Sequence, residues 1–306
     1  MSQYLPNLIV ITGATAVGKT DVCIQIAEIL GTEIISADSR QFYKELSIGT
    51  AKPDASQLSR VKHHFINSHN ITDLYGAGHF ERDALVLLEK LFQNHQQVVL
   101  TGGSGLYIKA LLEGMDDYPE VPLDVREQIT TLYQEKGLEW LQKRLLELDP
   151  VFMATTDKNN VQRLIRALEI AEYTGQPMSH YKKGNTRHRP FTSTIISLER
   201  DRSDLYHRIN TRVDTMIESG LEDEVKLLIP FRAHNALQTV GYKELFAYLD
   251  GDYTLDEAIY KIKQHTRNYA KRQLTWVRHQ LVAQSFHPDE LTTILNYIKT
   301  KNELAP

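Results

Sequence analysis

Gly13-Ala-Thr-Ala-Val-Gly-Lys-Thr20 satisfies the pattern G-x-x-x-x-G-K-[ST] at every position. Backbone N–H groups of such a glycine-rich loop point inward and form an anion nest. A helix starting at its end adds partial positive charge. Gly13, Ala14, Thr15, Ala16, Val17, Gly18, Lys19 and Thr20 are therefore candidate ligands of a polyphosphate. Lys19 would supply a point charge, and Thr20 Oγ1 can ligate a phosphate-bound Mg²⁺. The loop leaves open which polyphosphate it takes and what becomes of it. Asp38 closes a second apolar run, Glu33-Ile-Ile-Ser-Ala-Asp38. A carboxylate there can accept a proton from a substrate, hold a metal-bound water, or simply cap a turn. Base catalysis by a positioned carboxylate contributes roughly 10²–10⁴ in rate. A third run, Gln97-Val-Val-Leu-Thr101, ends in Gly102-Gly-Ser-Gly105 with no Asp or Glu. An NTP-driven motor would carry an acid there, so a transferase acting on a phosphorylated donor gains weight.

Two further groups of residues carry charge. Ala258 to Pro288 contains no Asp or Glu, and Lys261, Lys263, Arg267, Lys271, Arg272 and Arg278 lie within it. At helical spacing, Lys261, His265, Asn268, Arg272, Thr275 and His279 share one face, with Ile259, Ile262, Ala270, Val277 and Leu281 toward the other. With no acids interleaved to pair them, these bases suit a phosphate backbone, with Tyr269 and Trp276 among them; a solvated helix face is the alternative. Gln162, Arg163 and Arg166 open a helix at Asn160, where Glu169 stands three residues beyond Arg166. Spacing alone favours a surface ion pair there. The adjacent His63 and His64 diverge as neighbours and make a poor metal site.

These residues need elements to position them. Leu8–Ile11, Glu33–Asp38 and Gln97–Thr101 read as buried strands, with a short strand at Lys62–Ile66. Helices are expected after the loop (Val22, Ile26, Ile29, Leu30), at His79–Asn94 and at Leu106–Leu112. This alternation predicts a parallel sheet with helices on both faces, and ligands at the carboxyl ends of its strands. Gly13–Thr20, Asp38 and Gly102–Gly105 should then share one cleft. Near Gly114 the pattern changes. Residues 115–189 read as an all-helical insertion domain, with helices at Leu123–Glu135, Leu138–Leu148 and Asn160–Thr174 and a basic loop at Lys182–Pro190. Strand character returns at Thr194–Leu198, so 1–114 and 190–306 form one α/β core. Helices are expected there at Ser203–Glu218, Leu221–Leu228, Tyr242–Leu249 and Thr254–His279.

Apolar residues at 42% and charged residues at 24% over 306 positions are those of an ordinary globule with room for a core. The single cysteine, Cys23, permits no intrachain disulfide and reads as a small buried side chain. Met1-Ser-Gln-Tyr-Leu-Pro6 lacks the features of a signal peptide. No apolar run nears the ~18 residues of a membrane span. The expectation is a cytoplasmic protein with no membrane partner.

Several motifs then occur in a telling order: Gly13–Thr20, Ala37-Asp-Ser-Arg-Gln-Phe-Tyr43, Ile48-Gly-Thr-Ala-Lys-Pro53, His63-His-Phe-Ile66 and Gly102-Gly-Ser-Gly-Leu-Tyr107. Gln162-Arg-Leu-Ile-Arg-Ala-Leu-Glu169, Val240-Gly-Tyr-Lys-Glu244 and Lys271-Arg-Gln-Leu-Thr-Trp276 follow. This chain resembles the bacterial tRNA isopentenyltransferase (tRNA dimethylallyltransferase) family from about Leu8 to Arg278. The resemblance implies a P-loop NTPase-like α/β fold whose helical insertion grips an anticodon stem. It implies transfer of a dimethylallyl group from dimethylallyl diphosphate to N6 of the adenosine 3′ of the anticodon, with Mg²⁺, in a monomer. Asp38 would be the base, with Lys19, Thr20 and Ser104 at the reacting groups. By the same resemblance Asp38, Ser39, Arg40, Gln41 and Ser104 would meet the target nucleotide, and Arg126, Gln162, Arg163, Leu164, Ile165 and Arg166 the anticodon stem. Lys243, Lys271, Arg272 and Arg278 would flank the channel. Ser104 stands where the family often has Thr, Gln238 where some members have Arg, and Asn67 where Asp is frequent. A free-nucleotide prenyltransferase is the nearest alternative, but a mononucleotide needs neither the insertion nor the basic segment.

Overall fold

The computed structural model describes residues 5–184 and 186–303. The start of the segment judged not to be a signal peptide, Asn185 of the basic loop and the last three residues lie outside the described residues. The described chain falls into two compact units, Gly114–Arg187 and the remainder.

In the larger unit, β1 (Asn7–Gly13) runs into the loop and α1 (Lys19–Leu30). There follow β2 (Ile34–Ser36), α2 (Ala55–Arg60), β3 (His63–His64), α3 (Ala77–Leu91), β4 (Gln97–Thr101) and α4 (Gly105–Glu113). The smaller unit contributes α5 (Leu123–Leu148), α6 (Pro150–Thr155), α7 (Val161–Thr174) and α8 (Met178–Tyr181). The chain then returns with β5 (Thr192–Leu198), α9 (Arg202–Glu218), α10 (Leu221–Leu227), α11 (Tyr242–Leu249), α12 (Leu255–Gln280), β6 (Gln284–Phe286) and α13 (Leu291–Glu303). The sheet is wholly parallel, in the order β3-β2-β4-β1-β5-β6. All seven residues of β1 are buried, as a central strand covered on both faces must be. Its side chains alternate. Ile9 and Ile11 join Val22, Ile26, Ile294 and Ile298 in one core layer. Leu8 and Val10 join Phe80, Ala84, Leu88 and Ile108 in the other. A third core, around Leu221, Leu237, Tyr242 and Phe246, holds the helices after β5 together.

The structure departs from expectation in particular places. The strand at Lys62–Ile66 shrinks to two residues because Phe65 and Asn67 take left-handed backbone (φ 61° and 53°), which no strand accommodates. The two helices expected over Leu123–Leu148 form one element, broken at Gly137 with φ 77°. α2, α6, α8, β6 and α13 were not anticipated. Asp54 starts α2 with a capping box to Gln57, and Asp149 caps α6 through Phe152 N at 2.9 Å. Cys23 is wholly buried, and burial pushes its thiol up to about 12.

Candidate active site

The cleft is assembled at the carboxyl ends of β1, β2 and β4. Gly13 (φ 144°) and Gly18 (φ 111°) allow the loop to leave β1 and enter α1. A Cβ on Gly13 would stand 2.6 Å from the Leu198 carbonyl of β5, so only glycine fits beside that strand. Ala16, at φ 64°, is a non-glycine residue in the left-handed region. What holds it there comes from α9: Arg208 Nε donates to Ala16 O at 2.9 Å, and Arg212 Nη1 approaches Thr15 Oγ1 at 3.4 Å. Arg200, between β5 and α9, donates to Val17 O at 2.8 Å. Gln273 of α12 accepts from Thr15 N at 2.8 Å and donates to Gly103 O at 2.9 Å, joining the loop to the end of β4.

Lys19 Nζ donates to Gly13 O at 3.0 Å and Ala14 O at 2.8 Å. Burial, and then the nearby Arg212 cation, lower its pKa to about 8, against the pull of Asp38. Thr20, the second residue of α1, lines the same cavity. That cavity, about 270 Å³, is lined by Lys19, Thr20, Asp38, Gln41, Arg208 and Arg212, among others. Asp38 sits just beyond β2. Its Oδ1 accepts from Arg40 N at 2.9 Å and Gln41 N at 3.3 Å, an Asx-type turn that orients the carboxylate. Ser104 Oγ accepts from Ser39 N at 2.9 Å, and Ser104 N donates to Ala37 O at 3.3 Å. The Gly102–Gly105 turn thereby fixes the turn that carries Asp38. Phosphate loop, Asp38 and glycine turn therefore converge as the strand order demands.

Other candidate residues fare differently. Gln41 does not offer an open amide: its Nε2 donates to Thr50 O and Ala51 O at 3.1 and 3.2 Å, and its Oε1 accepts from Ser36 Oγ at 3.4 Å. It braces a loop. Arg40 is half-buried, with Nη1 3.5 Å from Ser39 O. The basic segment of α12 is less open than its lack of acids suggests. Lys263 pairs with Asp214 at 2.5 Å, Arg278 with Glu199 at 3.4 Å, and His265 with Glu244 at 2.6 Å. The counter-charges come from other elements, which inspection of one segment cannot show. Lys271 and Arg272 are exposed and have no carboxylate partner among the described residues; each lies near a ring, Tyr206 and Tyr269. Lys243 is exposed on the first turn of α11. Tyr269, Arg272 and Trp276 line a neighbouring hollow beside Ser39 and Ser104.

Within the smaller unit, Gln162 and Arg163 are exposed in the first turn of α7. Leu164 and Ile165 are not candidates for side-chain contact with RNA. They are 0% and 6% exposed in that unit's core, because the apolar stripe of α7 faces inward there. Arg126 and Arg166 both bind Glu169. Arg126 Nε and Nη2 reach it at 2.7 and 2.9 Å, and Arg166 Nη1 at 3.2 Å. Glu169 is 1% exposed, so this is a buried carboxylate between two arginines and not the surface pair that spacing favoured.

Arg208 and Arg212 escape a reading of the sequence, and Gln273 enters it only as a member of the Lys271–Trp276 motif. The available signal was the one-turn spacing of Arg208 and Arg212 on the helix that follows the returning strand.

Comparison with known proteins bears on the whole chain. Residues 41–280 match the IPP transferase family. A tRNA dimethylallyltransferase of Christiangramia forsetii is 49% identical over 302 residues, covering 98% of this chain and 99% of that protein. A tRNA dimethylallyltransferase of Bacteroides thetaiotaomicron is 46% identical, covering 97% of each. The crystal structure of a tRNA isopentenylpyrophosphate transferase from Bacillus halodurans superposes with a TM-score of 0.72 at 36% identity, covering 97% of both chains.

Proposed function

The chain belongs to the IPP transferase family, and we propose that it transfers a dimethylallyl group to tRNA, from dimethylallyl diphosphate to N6 of the adenosine just 3′ of the anticodon. Its P-loop NTPase-like sheet serves to hold a leaving group. The observation that carries the finer reading is the shared cavity. It sets a phosphate loop with Lys19, Arg208 and Arg212 in the same cavity as the carboxylate of Asp38, with Asp21 and Lys52 also on its wall, at a sheet whose β4 ends without an acid.

In this reading the donor's diphosphate lies in the loop. N6 attacks C1 of the donor, the N–C1 bond forms as the C1–O bond breaks, and the bonding pair leaves with diphosphate. The N6 proton passes to the Asp38 carboxylate, which its Asx turn holds in place. Loop amides, Lys19, Arg208 and Arg212 meet the charge that develops on the leaving oxygen. An adenine amine is a weak nucleophile, so proton removal accompanies C–N bonding. Thr20 Oγ1 would hold a Mg²⁺ that enters with the diphosphate and supplies further charge neutralisation. Thr20 fits that role by position, since it lines the same cavity as Lys19 and Asp38. The target base leaves its stack at a cost of a few kcal/mol. Contacts to RNA, among them Gln162 and Arg163 in the smaller unit, would offset it. No helix among the described residues is long and apolar enough to cross a membrane.

The test is an assay with dimethylallyl diphosphate and either an anticodon stem-loop or AMP. Label should enter the stem-loop and depend on its adenosine. Prenylation of AMP with the stem-loop untouched would overturn the acceptor reading.

A further inference from the structure

Glu224 lies outside the cavity just described, yet its carboxylate accepts four hydrogen bonds. Oε2 takes Ile48 N at 2.8 Å and Ser47 N at 3.1 Å; Oε1 takes Gly49 N at 3.1 Å and the Tyr242 hydroxyl at 2.6 Å. Three consecutive amides pointing at one anion form a nest, here filled by a side chain. Tyr242 completes it from beneath. The ring is wholly buried, and burial together with the Glu224 charge holds its hydroxyl proton well above the usual tyrosine range. A Cβ on Gly49 would fall 2.6 Å from that ring, so the loop rests on Tyr242 by way of a glycine.

The loop then carries this anchoring inward. Thr50 O and Ala51 O, the latter residue at a left-handed φ of 49°, accept from Gln41 Nε2. Gln41 N donates to Asp38 Oδ1. Lys52, next along the loop, is held by Tyr43 O and by Asn67 Oδ1 at 2.6 Å. Hydrogen bonds linked through the backbone of residues 49–51 and through Gln41 thus join Glu224 on α10 to the carboxylate assigned as base.

We propose that Glu224 and Tyr242 are positioning residues: they latch the Ser47–Lys52 loop, and through Gln41 the loop sets the orientation of Asp38 toward the reacting amine. The inference rests on the functional reading above. Neither residue touches the reacting atoms, so their removal should spoil alignment while leaving donor binding in place. Misplacement of a reacting group by about 1 Å is worth on the order of 10² in rate.

Glu224→Gln keeps the size and replaces one acceptor oxygen by a donor that opposes the loop amides. Turnover counted per diphosphate-binding site, with inorganic diphosphate as probe, should fall roughly 10- to 100-fold with the donor KM within about threefold of the parent. Counting sites corrects for any unfolded fraction, which the loss of a merely structural residue would raise without lowering turnover per site. Hydrogen exchange over 46–52 should quicken at least tenfold in the same variant, an outcome independent of catalysis. Unchanged exchange there, or per-site turnover within twofold of the parent, would overturn the latch. Should Glu224→Gln fail to fold, Tyr242→Phe decides: it removes one donor and keeps the ring under Gly49. A severalfold loss of per-site turnover at unchanged donor KM is expected, and none would overturn the proposal. If the parent chain prenylates no stem-loop, the functional reading fails, and the exchange experiment still judges the latch.

Discussion

Raising the pH past about 8 should weaken diphosphate binding, and Lys19 is the reason. Its ordinary pKa of 10.5 falls to about 8 in the fold, first because burial strips water from the ammonium and then because Arg212 stands near. Between those two values the unfolded chain holds a proton that the folded chain has lost. Folding stability therefore rises with pH across that window, as the cost of a buried cation is relieved. Binding runs the opposite way, since the anion needs the cation. If a bound diphosphate restores the ordinary pKa, the competent fraction drops from about 0.9 at pH 7 to about 0.1 at pH 9, roughly tenfold in affinity or ~1.4 kcal/mol. At pH 8, where half the lysines are neutral, binding should take up about half a proton. Calorimetric titration with inorganic diphosphate at pH 8, in two buffers of different ionisation enthalpy, measures this directly. Diphosphate exchanges protons of its own, so the Lys19→Met variant supplies the baseline. Its side chain lacks the titrating ammonium and with it the bonds to Gly13 O and Ala14 O, so it should show weaker binding without the extra uptake. Equal uptake in the two proteins would refute the assignment of Lys19 as the titrating ligand.

Asp38→Asn should keep tRNA affinity, measured by filter binding, and lose about 10²–10⁴ in turnover; near-parental turnover would remove Asp38 as the base. Binding of an anticodon stem-loop should weaken with salt, and Lys271→Ala or Arg272→Ala should each reduce the slope of log K against log salt by about 0.7–0.9. Lys263→Ala should leave that slope unchanged, because Asp214 already holds its charge at 2.5 Å. Glu169→Ala strips the acceptor from two arginines in the smaller unit. Loss of a fully buried partner costs about 3–5 kcal/mol, and with the arginine side chains 41% and 32% exposed roughly 2–3 kcal/mol is expected, read as lowered melting of that unit's helices.

The parts of the site legible in the sequence are those whose chemistry is local. Gly13 to Thr20 lies on consecutive residues, so spacing alone displays the nest, the lysine and the helix start. Asp38 is legible one step further, because a residue at the end of a parallel strand reaches the same edge as the loop. Arg208, Arg212 and Gln273 belong to the same cleft, but only the placement of β5 beside β1 and of α12 across the loop brings them there. The sheet order sets those neighbours over nearly 200 positions of chain, and no window of residues contains it. The side chains of Leu164 and Ile165 do not reach the surface for a related reason: a motif marks a helix, and the direction of its apolar stripe decides which members are exposed.

Charge shows the same dependence on distant partners. An acid-free segment looks like an uncompensated basic face, yet Asp214 and Glu199 from other elements pair with two of its six lysines and arginines, and Glu244 holds His265. Glu169, which local spacing places on the surface, is instead the buried anchor of Arg126 and Arg166. An ion pair already made must be broken before RNA can use the cation, whereas an exposed lysine without a carboxylate gains a phosphate at little cost. Lys271 and Arg272, not the segment's total charge, should therefore set the electrostatic share of RNA binding on α12, and the salt slope of their variants measures that share directly.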